Sequence, residues 1–188
     1  VIYNNSLNTT MNFRGNVIYN TVLDTTRTMI EARRGVVNFE GNVNGNFANT
    51  IVTNRDANVT INNSNFRTNT SGSTLIDNPI TTLTGTTSII NSTIVLDNSA
   101  TELCDGQYLN TYVFNSNIKN RGTSDIFTNS TNTGLLQVNN SNLVTNGSNT
   151  INISGNSPLI AANLISNTPV IANNISGIIT ELTELDIE

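Results

Sequence analysis

Ile61-Asn62-Asn63-Ser64-Asn65-Phe66 reads apolar, any residue, Asn, Ser, any residue, apolar, and the pattern returns three more times. It recurs as Ile89-Ile90-Asn91-Ser92-Thr93-Ile94, as Val113-Phe114-Asn115-Ser116-Asn117-Ile118 and as Val138-Asn139-Asn140-Ser141-Asn142-Leu143. The Asn before each Ser lies 28, 24 and 25 residues after its predecessor. A fixed period of this size marks a repeat architecture. Looser copies stand upstream, at Ile18-Tyr19-Asn20-Thr21-Val22-Leu23 and Val36-Val37-Asn38-Phe39, and downstream, at Leu159-Ile160-Ala161-Ala162-Asn163-Leu164-Ile165 and Val170-Ile171-Ala172-Asn173-Asn174-Ile175. Degenerate terminal copies are expected where the ends of a stack are capped.

Apolar residues around the motifs alternate, as in Val59 and Ile61, Leu136 and Val138, and Ile151 and Ile153, which is the period of a half-buried strand. The runs are short and end in turn pairs such as Ser71-Gly72, Asn146-Gly147 and Ser154-Gly155. Surface helix formers are scarce. The expected fold is all-β, a single-chain parallel β-helix of about 7 coils, each of roughly 22–28 residues, with a short C-terminal cap. Asn tolerates the left-handed conformation that sharp corners need, so Asn63, Asn91, Asn115 and Asn140 are expected to stack as a corner ladder. Ile61, Phe66, Ile89, Ile94, Val113, Ile118, Val138 and Leu143 are expected to form the core columns. The solenoid is read as residues 1–177, most regular over 59–143. Residues 178–188 lack Asn and gather Glu181, Glu184, Asp186 and Glu188. There Ile179, Leu182 and Leu185 fit a turn or two of helix, and Leu185 and Ile187 fit a strand, so the segment reads as a cap or an oligomer contact.

The composition agrees with a scaffold. About a fifth of the chain is Asn, far above ordinary usage. Only 11% is charged, and charges stacked at strand spacing would repel. Periodic aliphatics and a net charge of −5 separate the chain from disordered Asn-rich sequences. An acidic chain with eight dispersed Lys and Arg lacks the basic footprint of a nucleic-acid binder. No apolar run approaches the ~20 residues of a spanning helix. A single Cys104 forms no internal disulfide and reads as a small core residue.

With no His in the chain, Ser-His-Asp catalysis and most zinc chemistry are excluded, and no metal or cofactor is expected. The best acidic constellation is Asp97, Glu102 and Asp105, with Tyr108 nearby, in a stretch that breaks the repeat. Paired carboxylates of this kind could serve glycoside cleavage, but solvated loop acids beside a buried Cys104 are the simpler explanation and the one expected here.

The Asn-Ser coils, the Asn/Thr/Ser corners and the scarce charge resemble β-helical regions of viral and bacteriophage tail fibres and tailspikes, most of all over 149–179, with Asn152-Ile153-Ser154-Gly155-Asn156 and Ile160-Ala161-Ala162-Asn163. That resemblance implies a non-catalytic structural or receptor-binding component on a virion or an extracellular surface. Its expected partners are copies of itself, as a trimer, other virion or surface proteins, and host glycans. Phe13-Arg14-Gly15-Asn16, Phe39-Glu40-Gly41-Asn42 and Phe66-Arg67-Thr68-Asn69 are similar to a Phe-x-x-Asn pattern of bacterial autotransporter adhesins, though the companion Gly-Gly-Ala motif is absent. The alternatives are thus a surface adhesin fragment, or a β-helical polysaccharide lyase or hydrolase.

Overall fold

The computed structural model describes residues 2–20, 30–46, 52–54, 56–68, 74–78, 85–97, 102–106, 110–129 and 134–181. In chain order the strands are β1 (Ile2–Asn4), β2 (Thr10–Asn20), β3 (Ile30–Ala32), β4 (Val36–Asn46), β5 (Val52–Asn54), β6 (Asn58–Thr68), β7 (Thr74–Asn78) and β8 (Thr86–Ile90). They continue as β9 (Thr93–Leu96), β10 (Glu102–Gly106), β11 (Asn110–Phe114), β12 (Asn117–Asn120), β13 (Phe127–Asn129), β14 (Leu136–Thr145), β15 (Ile151–Ser166) and β16 (Val170–Glu181). The described residues contain no helix, and all their strand pairings are parallel. The chain is a parallel β-solenoid, as the repeat predicts.

Each coil carries three strand faces, and equivalent residues stack in register from coil to coil. On the first face the column runs Ile2, Ile30, Val52, Ile76, Cys104, Phe127, Ile151, Val170. On the second it runs Phe13, Phe39, Ile61, Ile89, Val113, Val138, Ala161, Gly177. On the third it runs Val17, Val43, Phe66, Ile94, Ile118, Leu143 and then Ser166. Eight levels stack on the first two faces, slightly more than the expected count.

Parallel sheets need both faces covered or a closed interior. Here the three inward columns cover one another, and the residues named on them from Ile30 to Leu143 are buried. Burying each such side chain contributes about 1.5–3 kcal/mol, which is what holds a chain with so little charge together. Phe39 lies on Phe13 with ring centroids 5.0 Å apart and meets Phe66 edge-on at 5.3 Å, so aromatic rings pack the interior of the early coils. Cys104 sits in the first column, buried, with its Sγ 3.9 Å from the Thr111 hydroxyl across the interior.

The copies near the N-terminus differ from the sequence reading. Phe13 and Phe39 share a column with Ile61, and Val17 and Val43 share one with Phe66. The first two copies are therefore Phe13 to Val17 and Phe39 to Val43, while Ile18 is 82% exposed. A register shift between Glu40 and Asn42 explains the slip, because a single Gly turns the corner there in place of Asn-Ser. The three Phe-x-x-Asn segments are consequently not equivalent, since Phe66 lies on a different face from Phe13 and Phe39. At the other end, Leu159 to Ile165 is a true copy in register with β14, whereas Val170 and Ala172 extend the first face. Of the segment 178–188 expected as a cap or oligomer contact, Ile178 to Glu181 continue β16 as strand, and 182–188 lie outside the described residues.

Replacing Ile89, fully buried at mid-stack, with Ala is expected to cost about 2–5 kcal/mol in urea denaturation, against under about 0.5 for Ile18→Ala. Thr87, inside the column that contains Val37 and Val59, is buried with its hydroxyl unpartnered. Thr87→Val removes that desolvated hydroxyl, and a gain of about 1 kcal/mol is expected in the same measurement.

Candidate functional site

The corners are the most repeated local chemistry. Between the second and third faces the chain turns through Asn63, Asn91, Asn115, Asn140 and Asn163, all at φ of 48–54°. This is the left-handed region, where Asn is several-fold enriched over other non-Gly residues. Gly15 (φ 79°) and Gly41 (φ 123°) take the corner in the first two coils, and a Cβ on Gly41 would press 2.5 Å from the Gly15 carbonyl oxygen. The amide of Asn163 donates to Asn140 Oδ1 (2.8 Å), Asn140 donates to Asn115 (3.3 Å), and Asn115 donates to Asn91 (3.2 Å). Other amide pairs run alongside on outward positions, Asn38 to Asn12, Asn42 to Asn16, Asn65 to Asn42 and Asn142 to Asn117, at 2.8–3.1 Å.

The serine that follows each Asn has its own task. At the corner the backbone ladder leaves the Ser N–H without a carbonyl, and the hydroxyl of the next coil supplies the acceptor. Ser64 N–H donates to Ser92 Oγ, Ser92 to Ser116 and Ser116 to Ser141, each at 3.1–3.2 Å. Each hydroxyl then donates to the carbonyl two residues back in its own coil: Ser64 to Asn62, Ser92 to Ile90, Ser116 to Phe114 and Ser141 to Asn139. The chain begins at the Gly41 N–H, which donates to Ser64 Oγ (3.2 Å), and the next register position after Ser141 is Leu164. All four serines are buried. This relay is absent from the sequence reading, which placed Ser at corners without a specific bond. The invariant step from Asn to Ser in four copies is the signal that carried it.

The acidic candidates separate. Asp97 follows β9 on the third face and accepts from two arginines. Arg67 Nε and Nη2 reach its carboxylate from the preceding coil, and Arg121 Nη1 reaches it at 2.9 Å from the following one. Asp97 holds the Arg67 guanidinium above its ordinary pKa, through the hydrogen bond first and charge second. A carboxylate clasped this way acts as an anchor for two cations, which is the reverse of a free general acid. Glu102 and Asp105 lie on β10, on the first face, in register with Thr74 and with Asp77 and Thr128. Asp77 was not singled out in the sequence, though it stands one coil before Asp105. Tyr108 lies outside the described residues. Among the described residues no three His, Cys, Asp or Glu side chains group as a metal site.

On the outer side of the second face, Tyr112 and Phe114 stack with centroids 6.3 Å apart at 25°. Register places Ser88 and Gln137 beside Tyr112, and Ile90 and Asn139 beside Phe114. A flat strip of two rings edged by amides and a hydroxyl offers stacking and hydrogen bonding together. No protein-family model, curated protein or solved structure matches this chain. No helix among the described residues is long and apolar enough to cross a membrane.

The two corner bonds are separable by substitution. Asn115→Gly keeps the turn and loses two ladder bonds, to Asn91 and from Asn140, while Asn115→Ala loses the same two and adds the left-handed penalty of about 1–2 kcal/mol, so Ala is expected to be the more damaging in thermal melts. Ser116→Ala strips the Ser92 N–H of its acceptor inside the corner, and a loss of about 1–3 kcal/mol is expected.

Proposed function

We propose that this chain is a non-catalytic segment of a fibre or spike carried on a virion or an extracellular surface, working as a stiff homo-oligomeric scaffold that presents its outward faces to glycans or to neighbouring subunits. The observation that carries the reading is axial continuity. Each level pairs with the next through parallel backbone, and amide or serine-hydroxyl bonds reinforce most of the steps, so the repeated chemistry of the chain is directed along one axis. A stack of nearest-neighbour contacts is a natural load-bearing rod, and its curvature and faces repeat from coil to coil. Support for a binding role comes from the Tyr112–Phe114 strip, whose rings and amides are groups that take sugars by stacking and hydrogen bonding.

The reading as a lyase or hydrolase draws less support. It rests on Asp97, Glu102 and Asp105 acting together, and Asp97 is engaged by Arg67 and Arg121 on a different face of the coil from β10.

Sedimentation velocity with small-angle scattering tests the proposal. A trimer is expected, and a compact monomer at every concentration would sink the oligomeric scaffold. On a panel of polysaccharides no cleavage is expected. Depolymerisation abolished by Asp97→Asn would replace the proposal with the enzymatic reading.

A further inference from the structure

We propose that the two ends of the rod bind one another: the last described coil of one copy takes the first described coil of a second copy, and the chain assembles head to tail. The inference goes beyond the reading above, which concerns the sides of the rod, and it stands without it.

A coil inside the stack is covered twice, by the coil before it and by the coil after it. At each end one cover is missing among the described residues. β1 and β2 pair only with β3 and β4, and β16 pairs only with β15. The outer edge of β16 therefore offers the backbone of 12 residues and that of β2 offers 11. Such edges are templates for a further strand, and proteins commonly blunt them with Lys or Pro. β16 carries neither, and its one acid, Glu181, stands at its very end. Apolar side chains are exposed along with the backbone, Ile171 (47%), Ile175 (43%) and Ile178 (67%) on β16 and Ile2 (41%) on β1. Met11, Phe13 and Val17 at one end, and Val170, Ala172 and Ile179 at the other, pack on the core and are only partly buried.

The corner selects a second copy as the occupant. Interior coils turn at Asn, whereas the first two coils and the last turn at glycine. Phe13-Arg14-Gly15-Asn16-Val17, Phe39-Glu40-Gly41-Asn42-Val43 and Ile175-Ser176-Gly177-Ile178-Ile179 share the form apolar, any residue, Gly, any residue, apolar. Two glycine coils stack without a register shift, as β2 and β4 do over eleven residues. A glycine coil against an Asn coil forces a shift, between Glu40 and Asn42 and again between Ala161 and Leu164. Laying Gly15 of one copy on Gly177 of another joins like to like, with Phe13 on Ile175 and Val17 on Ile179.

The space at Gly15 fits that partner. A Cβ on Gly41 would press on the Gly15 carbonyl oxygen, and one on Gly177 would overlap the Ala161 carbonyl oxygen, so the coil before each of them demands glycine. A Cβ on Gly15 meets nothing within 4 Å. Asn takes a positive φ at five other corners, so the turn by itself leaves Gly15 replaceable. Glycine there keeps clear the place where the Gly177 carbonyl of a preceding copy arrives. The two surfaces differ, so the contact is heterologous and propagates instead of closing.

The test uses the 188-residue chain, with rod length read by negative-stain electron microscopy and small-angle scattering over a concentration series. Lengths in multiples of one chain, growing with concentration, are expected. Gly15→Asn fills the space on the first coil and Ile175→Lys charges the last. Each alone should return the mean length to that of one chain, with circular dichroism and the melting temperature unchanged. Ile178→Lys, at the more exposed position, serves if Ile175→Lys lowers the melting temperature. An equimolar mixture of the two end variants restores one junction, so doubled rods and nothing longer are expected. Rods of single length at every concentration, multiples that neither variant shortens, or a mixture without doubled rods would overturn the proposal. Width keeps the two ideas apart: a rod one chain wide that lengthens removes the trimer alone, and a wide rod of fixed length removes the end contact alone.

Discussion

A stack of coils must turn the same corner at the same place on every level without leaving a backbone group unbonded inside. That constraint organises the molecule. A left-handed residue makes the turn tight, and it also throws the following N–H out of line with the carbonyl above or below it. The Asn-Ser pair answers both demands: Asn accepts φ near 50°, and the serine hydroxyl of the next coil accepts the stranded N–H. Once the corner is held, the apolar residues on either side of it are aimed inward as continuous columns, and the outer positions become flat rows.

The outer rows explain why charge is so scarce. Stacked residues lie only ~4.8 Å apart, so a repeated charge would repel itself while a repeated amide can bond to its own image. Asn rows accordingly line much of the surface, and among the described residues opposite charges meet between coils, Arg14 against Glu40 and Arg67 and Arg121 against Asp97. The interior follows the same logic of repetition. Its exceptions, such as the unpartnered Thr87 hydroxyl beside Val59, mark where the stack gives up stability.

The parts of the fold that were legible in sequence are those where one residue type has one physical use. Asn before Ser, flanked by aliphatics, could recur at coil spacing only if the same turn recurred, and the solenoid follows from that. The N-terminal copies were obscured because Gly15 and Gly41 turn the corner with one residue where Asn63-Ser64 use two, which displaced the pattern by enough to make exposed Ile18 look like a core residue. The arginine clasp was hidden for a different reason. Arg67 and Asp97 are 30 residues apart and Asp97 and Arg121 are 24 apart, so only the second interval has the length of the neighbouring coil repeat, and a diagonal pairing leaves no periodic trace. Asp97 stood out among its acidic neighbours in sequence, but its partners come from the coils before and after it.

The serine relay also has a direction. Each corner N–H from Gly41 to Ser116 is answered by a hydroxyl that lies later in the chain. A polypeptide emerging from the ribosome N-terminus first would therefore hold one open donor at its growing tip, closed only when the following coil docks. Elongation and docking proceed in the same sense, like a zipper drawn from one end. Leu164, in register with Ser141, brings no hydroxyl to continue the series, so the zipper carries its own stop.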